Sequence, residues 1–478
     1  MASKLTVRPP YEAESSLEIT LRQAFYCLEP QLRPPFPLTI PTQEQYSLLN
    51  KAIIYAILSE PHLRKIHIKH LHGVITDGYG YFTSILAIIV NEIYGKLVDS
   101  AKRQLLWITR EMVDVAAVGF TDLLGSLLRQ IVAGDSSEDN LWLCNEMVTL
   151  FSCKWDCLLQ EGSSGLTAAL YVFLRLLSDH CRVSISNAPK FESLIKLEKD
   201  FCVKMLREKF GLCLRIGRDL VRLLQDLVHV PEFRAIWRDL LYAPSVFGVD
   251  EFLDISMLYY TMTPKWFFLL RVSPQMESQL RFLLTHVEHG SQLRYQDWFT
   301  KKFLSTPEKN AVLIDLVRFI CCAHHPSNDI IHSDIIQRWA VIGWLLKSSM
   351  KNYITANMKL ALFYDWLFFN EKLDTVMDIE PALLLMVHSI PEYIDITNSL
   401  LEFLFLLLDN YDLERKEIVL RGVSTSLHTL VRKGVVQSLE VLTRCDKLSP
   451  NLKERLAELL SGCSGFVDNS RIPTSQML

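Results

Sequence analysis

The chain has 478 residues, of which 49% are hydrophobic and 22% are charged, and its formal net charge is −4. A chain this long and apolar can bury a large core, which excludes intrinsic disorder for most of it. The small net charge excludes a global field that would attract nucleic acid or an anionic membrane. The length predicts about three domains or one elongated repeat array.

The apolar runs and the cysteines of the sequence predict the cellular compartment. The stretch Tyr81–Val90 is far shorter than the ~18 residues that a membrane span needs, and the N-terminal residues have no signal-peptide core. Eleven cysteines, most of them inside apolar helical stretches, predict reduced and buried thiols rather than a disulfide framework. We therefore expect a soluble intracellular protein that does not contact membranes.

Helix-start signals recur along the chain. A hydroxyl residue at the N-cap accepts a bond from an otherwise unpaired amide, and a proline at the next position loses no donor. Thr42 and Gln45 have the spacing of a capping box. The hydroxyl-proline pairs are Thr263-Pro264, Ser273-Pro274, Thr306-Pro307 and Ser449-Pro450.

The apolar residues follow the helical period, and sustained period-2 alternation is absent. One predicted helix face carries Leu105, Ile108, Met112 and Val115. Helix pairs recurring every ~35–45 residues predict an all-α, superhelical solenoid of HEAT- or armadillo-like pairs. We predict an N-terminal arm and first helix over 1–40, a helical solenoid over 41–463 and a disordered tail over 464–478. Two lobes would meet near 183–189 or 242–249.

Enzyme signatures are missing, since no phosphate-binding loop, HExxH, GxSxG or EF-hand pattern occurs. Cys321, Cys322, His324 and His325 place four metal-binding residue types within five positions. Structural zinc sites draw ligands from two separated pairs, so buried thiols followed by an exposed loop are the preferred interpretation. A metal-dependent enzyme at this cluster is the alternative. We predict no catalytic residue, metal or cofactor.

A histidine-rich segment precedes the first long apolar run. His67, His70 and His72 alternate with basic residues at spacings that do not bring three imidazoles to one helix face. We expect a solvated and partly titratable surface there.

A basic stripe is predicted between residues 204 and 222. In one continuous helix five basic side chains would share an arc of ~80°, and they are Lys204, Arg207, Arg215, Arg218 and Arg222. Such a stripe would bind an acidic partner or nucleic-acid phosphates. The interpretation that such a pattern favours is a structural one, a ladder of salt bridges between helices aided by Asp219 and Asp226. Glycines at 211 and 217 leave room for a break that would scatter the stripe.

Aromatic and basic residues interleave over 294–303, a combination that single-stranded nucleic acid prefers. At this spacing Tyr295, Trp298 and Phe299 are more typical of a core than of a stacking platform. Tyr295 and Trp298 join the five basic residues as the predicted partner-binding surface.

An ordered set of long runs resembles the N-terminal half of the family of Integrator complex subunit three. The runs are RIGRDLVRLLQ from Arg215, RYQDWF from Arg294, LSTP from Leu304, HPSN from His325, RWAVIGWLL from Arg338, KLALFYDWLFF from Lys359 and DIEPA from Asp378. Weaker similarities start at Arg103 and Phe173, so the resemblance covers most of the chain.

The resemblance implies a non-catalytic helical scaffold of a nuclear complex that matures small nuclear RNA ends and attenuates transcription by RNA polymerase II. It also implies binding of an OB-fold single-stranded-DNA-binding protein and a small accessory subunit, for the DNA damage response. Other Integrator subunits would be partners, and nucleic acid would be reached indirectly through them. The implied location is the nucleus, with the cytoplasm as a second one, and relatives continue into a further helical half.

Two other functions fit the residues. One is a helical-repeat adaptor of another class, which different co-purifying partners would reveal. The other is a module that binds single-stranded nucleic acid directly, for which a steep salt dependence of binding is required.

Overall fold

The computed structural model describes residues 4–7, 12–36, 41–306 and 308–461, although not the side chains of 183–190. Over these ranges it contains α-helices, short 3-10 turns and two isolated β-bridges, with no strand. The predicted all-α class is therefore confirmed. The predicted tail over 464–478 lies outside the described residues.

Two compact units divide the chain. One holds the described residues up to Ile255 together with Leu269–Gln279, and the other holds Ser256–Phe268 together with those from Leu280 onwards. Of the two break positions predicted from sequence, 183–189 lies inside the first unit and 242–249 lies just before its boundary at Ile255.

The helices up to that boundary are α1 (Ser16–Leu28), α2 (Gln43–Ser59), α3 (Arg64–Val74), α4 (Gly80–Ile93), α5 (Asp99–Asp114), α6 (Phe120–Leu128), α7 (Glu138–Cys153), α8 (Trp155–Glu161), α9 (Ser163–Glu208), α10 (Phe210–Cys213), α11 (Asp219–Asp226) and α12 (Pro231–Tyr242). The later helices are α13 (Ser256–Tyr260), α14 (Lys265–Leu269), α15 (Pro274–His286), α16 (Leu293–Phe303), α17 (Val312–Cys322), α18 (Asn328–Ile331), α19 (Arg338–Ser348), α20 (Asn352–Phe363), α21 (Val376–Ser389), α22 (Ile394–Asn410), α23 (Lys416–Arg432), α24 (Glu440–Thr443) and α25 (Pro450–Ser461).

Most of the predicted helix starts are confirmed. Thr42 and Gln45 form the reciprocal capping box of α2. Ser273 Oγ accepts a bond from the Met276 amide at the start of α15, and Ser449 Oγ accepts one from the Leu452 amide at the start of α25. Helix α14 begins at Lys265, one residue later than predicted. Pro307 lies outside the described residues.

Each unit is built around a helix that is covered on several sides. In the first unit α2 packs against α1, α3, α4 and α5, and every residue of 52–59 is buried. In the second unit α17 packs against α19, α20 and α21, and all of its residues are buried. A helix that is buried on all sides needs such neighbours, and contacts of this kind between helices close in sequence are typical of a helical stack.

Helix α9 is not a straight rod. His180 Nδ1 lies 2.9 Å from Glu198 Oε2, and the Phe173 and Phe201 ring centroids are 5.5 Å apart. A straight helix would separate residues 180 and 198 by about 27 Å. The part of α9 before residue 182 and the part after 191 therefore lie side by side, and the chain reverses between them.

The apolar face predicted on α5 ends earlier than expected. Leu105, Ile108 and Met112 are buried, whereas Val115 is 39% exposed. Helix α5 ends at Asp114 and Ala116 has a φ of 46°, so Val115 leaves the helix before it reaches the core.

Helix α23 depends on a glycine. A Cβ on Gly422 would lie 2.3 Å from the Leu367 carbonyl oxygen and 2.8 Å from that of Trp366, both of which are backbone atoms. The close approach of α23 to residues 366–367 therefore has no room for a side chain. No helix in the described part of the chain combines the length and apolar character that a bilayer crossing requires.

We expect Gly422→Ala to lower the free energy of unfolding by about 1–3 kcal/mol, because the backbone must move to admit the methyl group. The matched control is Gly125→Ala in α6, where an added Cβ meets nothing within 4 Å and helix propensity favours alanine by up to about 1 kcal/mol. Urea denaturation followed by circular dichroism measures both. Equal midpoints for the two variants would contradict the close approach.

Candidate functional site

The stretch that carries the five basic residues is not one helix. Helix α9 ends at Glu208, Lys209 has a φ of −135°, and Gly217 has a φ of 73° and a ψ of −154°. Gly217 adopts a conformation that residues with a Cβ rarely reach. The condition of one continuous helix from 204 to 222 is therefore not met, the break that the glycines at 211 and 217 leave room for is present, and the single basic arc does not form.

Arg218 and Arg222 lie in the core, with 0% and 3% of their surface exposed. Arg222 donates to both carboxylate oxygens of Asp219, at 2.9 and 3.2 Å, and the Tyr171 hydroxyl donates to Asp219 at 2.7 Å. The Arg271 guanidinium lies 4.0 Å from the Tyr171 ring centroid. Arg222 thus holds a buried network between α9 and α11, which is a structural role rather than a surface for partners.

The other three basic residues reach the surface of the first unit, and we call Lys204, Arg207 and Arg215 the basic surface. Lys204 Nζ lies 4.1 Å from the Trp155 ring centroid, and Arg215 donates to Ser163 Oγ at 3.4 Å. Trp155 is the first residue of α8, and Ser163 is the first residue of α9. Arg207 pairs with Asp239 of α12 at 2.7 Å, so Lys204 and Arg215 are the more exposed cations there.

The second candidate surface lies on α15 and α16. Tyr295 and Trp298 are 40% and 42% exposed, whereas Phe299 and Phe303 on the same helix are buried. The core interpretation of this aromatic run is therefore confirmed for Phe299 and wrong for Tyr295 and Trp298.

Sequence reasoning missed the aromatic residues that α15 adds. The Phe282 ring is 39% exposed, lies 5.5 Å from the Tyr295 ring and stacks on His286 at 5.1 Å. Lys302 Nζ lies 4.8 Å from the Trp298 ring centroid. The i, i+4 spacing of Phe282 and His286 was the available signal. We call Phe282, His286, Tyr295, Trp298 and Lys302 the aromatic surface.

The cysteine and histidine residues at the end of α17 are used in packing. Cys321 and Cys322 are buried, and Cys322 Sγ donates to Asp365 at 3.3 Å. His325 Nε2 lies 2.8 Å from Asp378 Oδ1. Among the described residues no three His, Cys, Asp or Glu side chains come together to hold a metal ion.

The histidines of α3 differ from the sequence expectation. His67 and His70 are buried rather than solvated, and burial lowers the pKa of both. His67 Nε2 lies 3.0 Å from Glu60, and the His70 ring stacks on Phe36 at 4.3 Å. Only His72 of the three is exposed.

Because Arg222 is buried and Arg215 is exposed, we expect alanine substitutions at these two positions to change stability by very different amounts. We expect Arg222→Ala to cost about 3–5 kcal/mol of stability, because it takes a guanidinium that donates two hydrogen bonds away from the buried Asp219 carboxylate. Arg215→Ala is the matched control and should stay within about 0.5 kcal/mol of the parent, because its side chain is exposed. Chemical denaturation measures the free energy of unfolding of both variants. Equal losses of stability in the two would contradict the burial of Arg222.

His324 predicts an acid-sensitive contribution to stability. Burial, with the charges of Arg281 and Arg338 adding to it, lowers the pKa of His324 to about 4. The unfolded chain binds this proton below pH ~6.5 while the folded chain does not, so the stability is present above that pH and is lost as the pH falls towards 4. At pH 5 the loss amounts to about 2 kcal/mol.

We expect His324→Gln, which keeps an acceptor for Arg281, to remove that part of the acid sensitivity. Urea denaturation at several pH values between neutrality and pH ~5 measures it. The proposed cause is wrong if the variant loses stability with acid as steeply as the parent does.

Comparison of the sequence with those of known proteins shows which family it matches. The sequence model of the family described as Integrator complex subunit 3 N-terminal matches residues 44–458. Integrator complex subunit 3 of Homo sapiens is 37% identical over 420 residues, which cover 88% of this chain and 39% of the human protein. The homologue of Dictyostelium discoideum is 39% identical over 411 residues, covering 84% of this chain and 27% of its own length.

The homologue of Drosophila erecta is 33% identical over 469 residues and covers 95% of this chain and 42% of its own length. The chain thus spans between about a quarter and two fifths of the length of these relatives.

Proposed function

The chain belongs to the family of Integrator complex subunit 3, and from this premise we propose that it serves as a non-catalytic scaffold subunit of the nuclear Integrator complex. The observation that carries the proposal is the family match over residues 44–458, which takes in both compact units. The roles proposed are 3′-end processing of small nuclear RNA and attenuation of RNA polymerase II transcription.

A second set of partners belongs to the same proposal. It comprises an OB-fold single-stranded-DNA-binding protein and a small accessory subunit, acting in the DNA damage response. Stacked helices present broad surfaces suited to protein ligands. The exposed cations Lys204 and Arg215 support a contact with an acidic partner surface, because Lys204 lies at the start of α8 and Arg215 contacts Ser163 just after its end.

The test is a pulldown from nuclear extract with this chain as bait, read by mass spectrometry. We expect Integrator subunits and the OB-fold protein among the captured proteins. Reversing the charges in Lys204→Glu with Arg215→Glu should cost at least one of these partner sets, because like charges across an interface are repulsive.

The matched control reverses two exposed lysines of α3 in the same unit, Lys65→Glu with Lys69→Glu, and should keep both partner sets. Both variants must show the melting curve of the parent. If the parent captures no Integrator subunit, the scaffold function is wrong. If the two double variants capture the same proteins, the basic surface is not the contact.

A further inference from the structure

We propose that the aromatic surface on α15 and α16 binds single-stranded RNA directly. This binding would be separate from the protein contacts proposed above and does not depend on them. It rests on the exposure, spacing and charge of side chains within the second unit.

Exposed aromatic rings are the first observation. Phe282, Tyr295 and Trp298 each leave about two fifths of their surface in contact with solvent. Phe282 and Tyr295 are 5.5 Å apart across two helices, and Tyr295 and Trp298 lie one turn apart along α16. Rings that are close together on rigid helices offer successive stacking sites, and stacking on aromatic side chains is how single-stranded nucleic acids are held.

Positive charge beside the rings is the second observation. Helix geometry places Tyr295, Trp298 and Lys302 on one stripe of α16 and Arg294, Asp297 and Lys301 on the adjacent stripe. The charged residues of both stripes are exposed. Together the two stripes carry three cations and one carboxylate. A backbone of phosphates that follows the rings would therefore meet a cation at either end of the exposed face.

The mixture of residues favours a nucleic acid over a protein partner. The cores of protein interfaces are enriched in aromatic residues and depleted in lysine. Here Lys301 and Lys302 lie one turn after Trp298 along α16, and Lys302 Nζ is 4.8 Å from the Trp298 ring centroid. Aromatic faces with adjacent cations are the combination that single strands use.

Asp297 selects RNA over DNA. Its carboxylate is exposed next to Trp298 and would repel phosphates, which disfavours any nucleic acid that offers it nothing in return. The ribose 2′-hydroxyl is a donor that a carboxylate accepts, and deoxyribose lacks it. An aspartate within an otherwise basic and aromatic face is thus compatible with RNA and unfavourable for DNA.

The test measures fluorescence anisotropy of a labelled oligouridylate of about 15 nucleotides with the full chain. We expect measurable binding whose affinity falls steeply between about 50 and 200 mM salt. Trp298→Ala and Tyr295→Ala should each weaken binding about tenfold, because each removes a stacked base. Trp298→Phe should recover most of the affinity, because it restores a stacking ring.

Two further variants test the charges. Lys302→Gln should reduce the salt slope by about one. Asp297→Asn should strengthen binding to the deoxy oligomer of the same sequence more than binding to RNA. The substitution removes the repulsion between the carboxylate and the phosphates of either strand, but for RNA it also weakens the hydrogen bond that the carboxylate accepts from the 2′-hydroxyl.

The matched control is Tyr26→Ala, an exposed aromatic residue of α1 in the first unit, which should bind RNA as the parent does. The proposal is overturned if the parent does not bind, or if Trp298→Ala combined with Tyr295→Ala melts like the parent and binds with the same affinity. It is also overturned if a duplex of the same length binds equally well. Equal affinity of the parent for the RNA and its deoxy counterpart overturns the assignment to RNA.

Discussion

Buried arginines that bridge helices are the interaction on which both compact units depend. Arg222 pairs with Asp219 within α11, and the Tyr171 hydroxyl links this pair to α9. Arg318 pairs with Asp365 at 2.5 Å, between α17 and the turn after α20. Arg338 donates to the carbonyls of Ile320 and His324 and pairs with Glu380. A stack of helices has no sheet to fix its layers, so a guanidinium that satisfies several acceptors at once sets the distance and register of neighbouring helices. Each such pair must stay complete, because losing one partner strands a buried charge.

Because these arginines lie in the core, their positive charge is not available on the protein surface. With a net charge of −4 the chain has no net positive charge to attract polyanions, and many of its surface cations are opposed by a carboxylate, as Arg207 is by Asp239. The residues that depart from this pattern therefore carry more information than their number suggests. Lys204 and Arg215 in the first unit contact an aromatic ring and a hydroxyl rather than a carboxylate in the bonds described.

Much of the fold was predictable because its causes are local. The capping box at Thr42 and the hydroxyl caps at Ser273 and Ser449 are read from residues three positions apart, and the structure has them. The fate of the basic residues was not predictable in the same way. Whether Arg222 faces water or Asp219 depends on Gly217, whose φ of 73° breaks the helix, and on Tyr171, which reaches Asp219 from α9. His67 and His70 were misassigned for the same reason, since Glu60 and Phe36 that cover them come from other segments.

The aromatic run of α16 shows why exposure itself carries functional information. Phe299 and Phe303 already supply the ring area that anchors the helix, and Phe299 packs edge-on against Trp344. Tyr295 and Trp298 thus add little to the core, while their exposed apolar surface costs free energy in water. Burying that surface against a ligand recovers this energy, and the adjacent Lys301 and Lys302 determine the charge such a ligand should have. Under the two proposals, charges on the first unit would contact protein partners, and a separate set of residues on the second unit would bind an RNA strand.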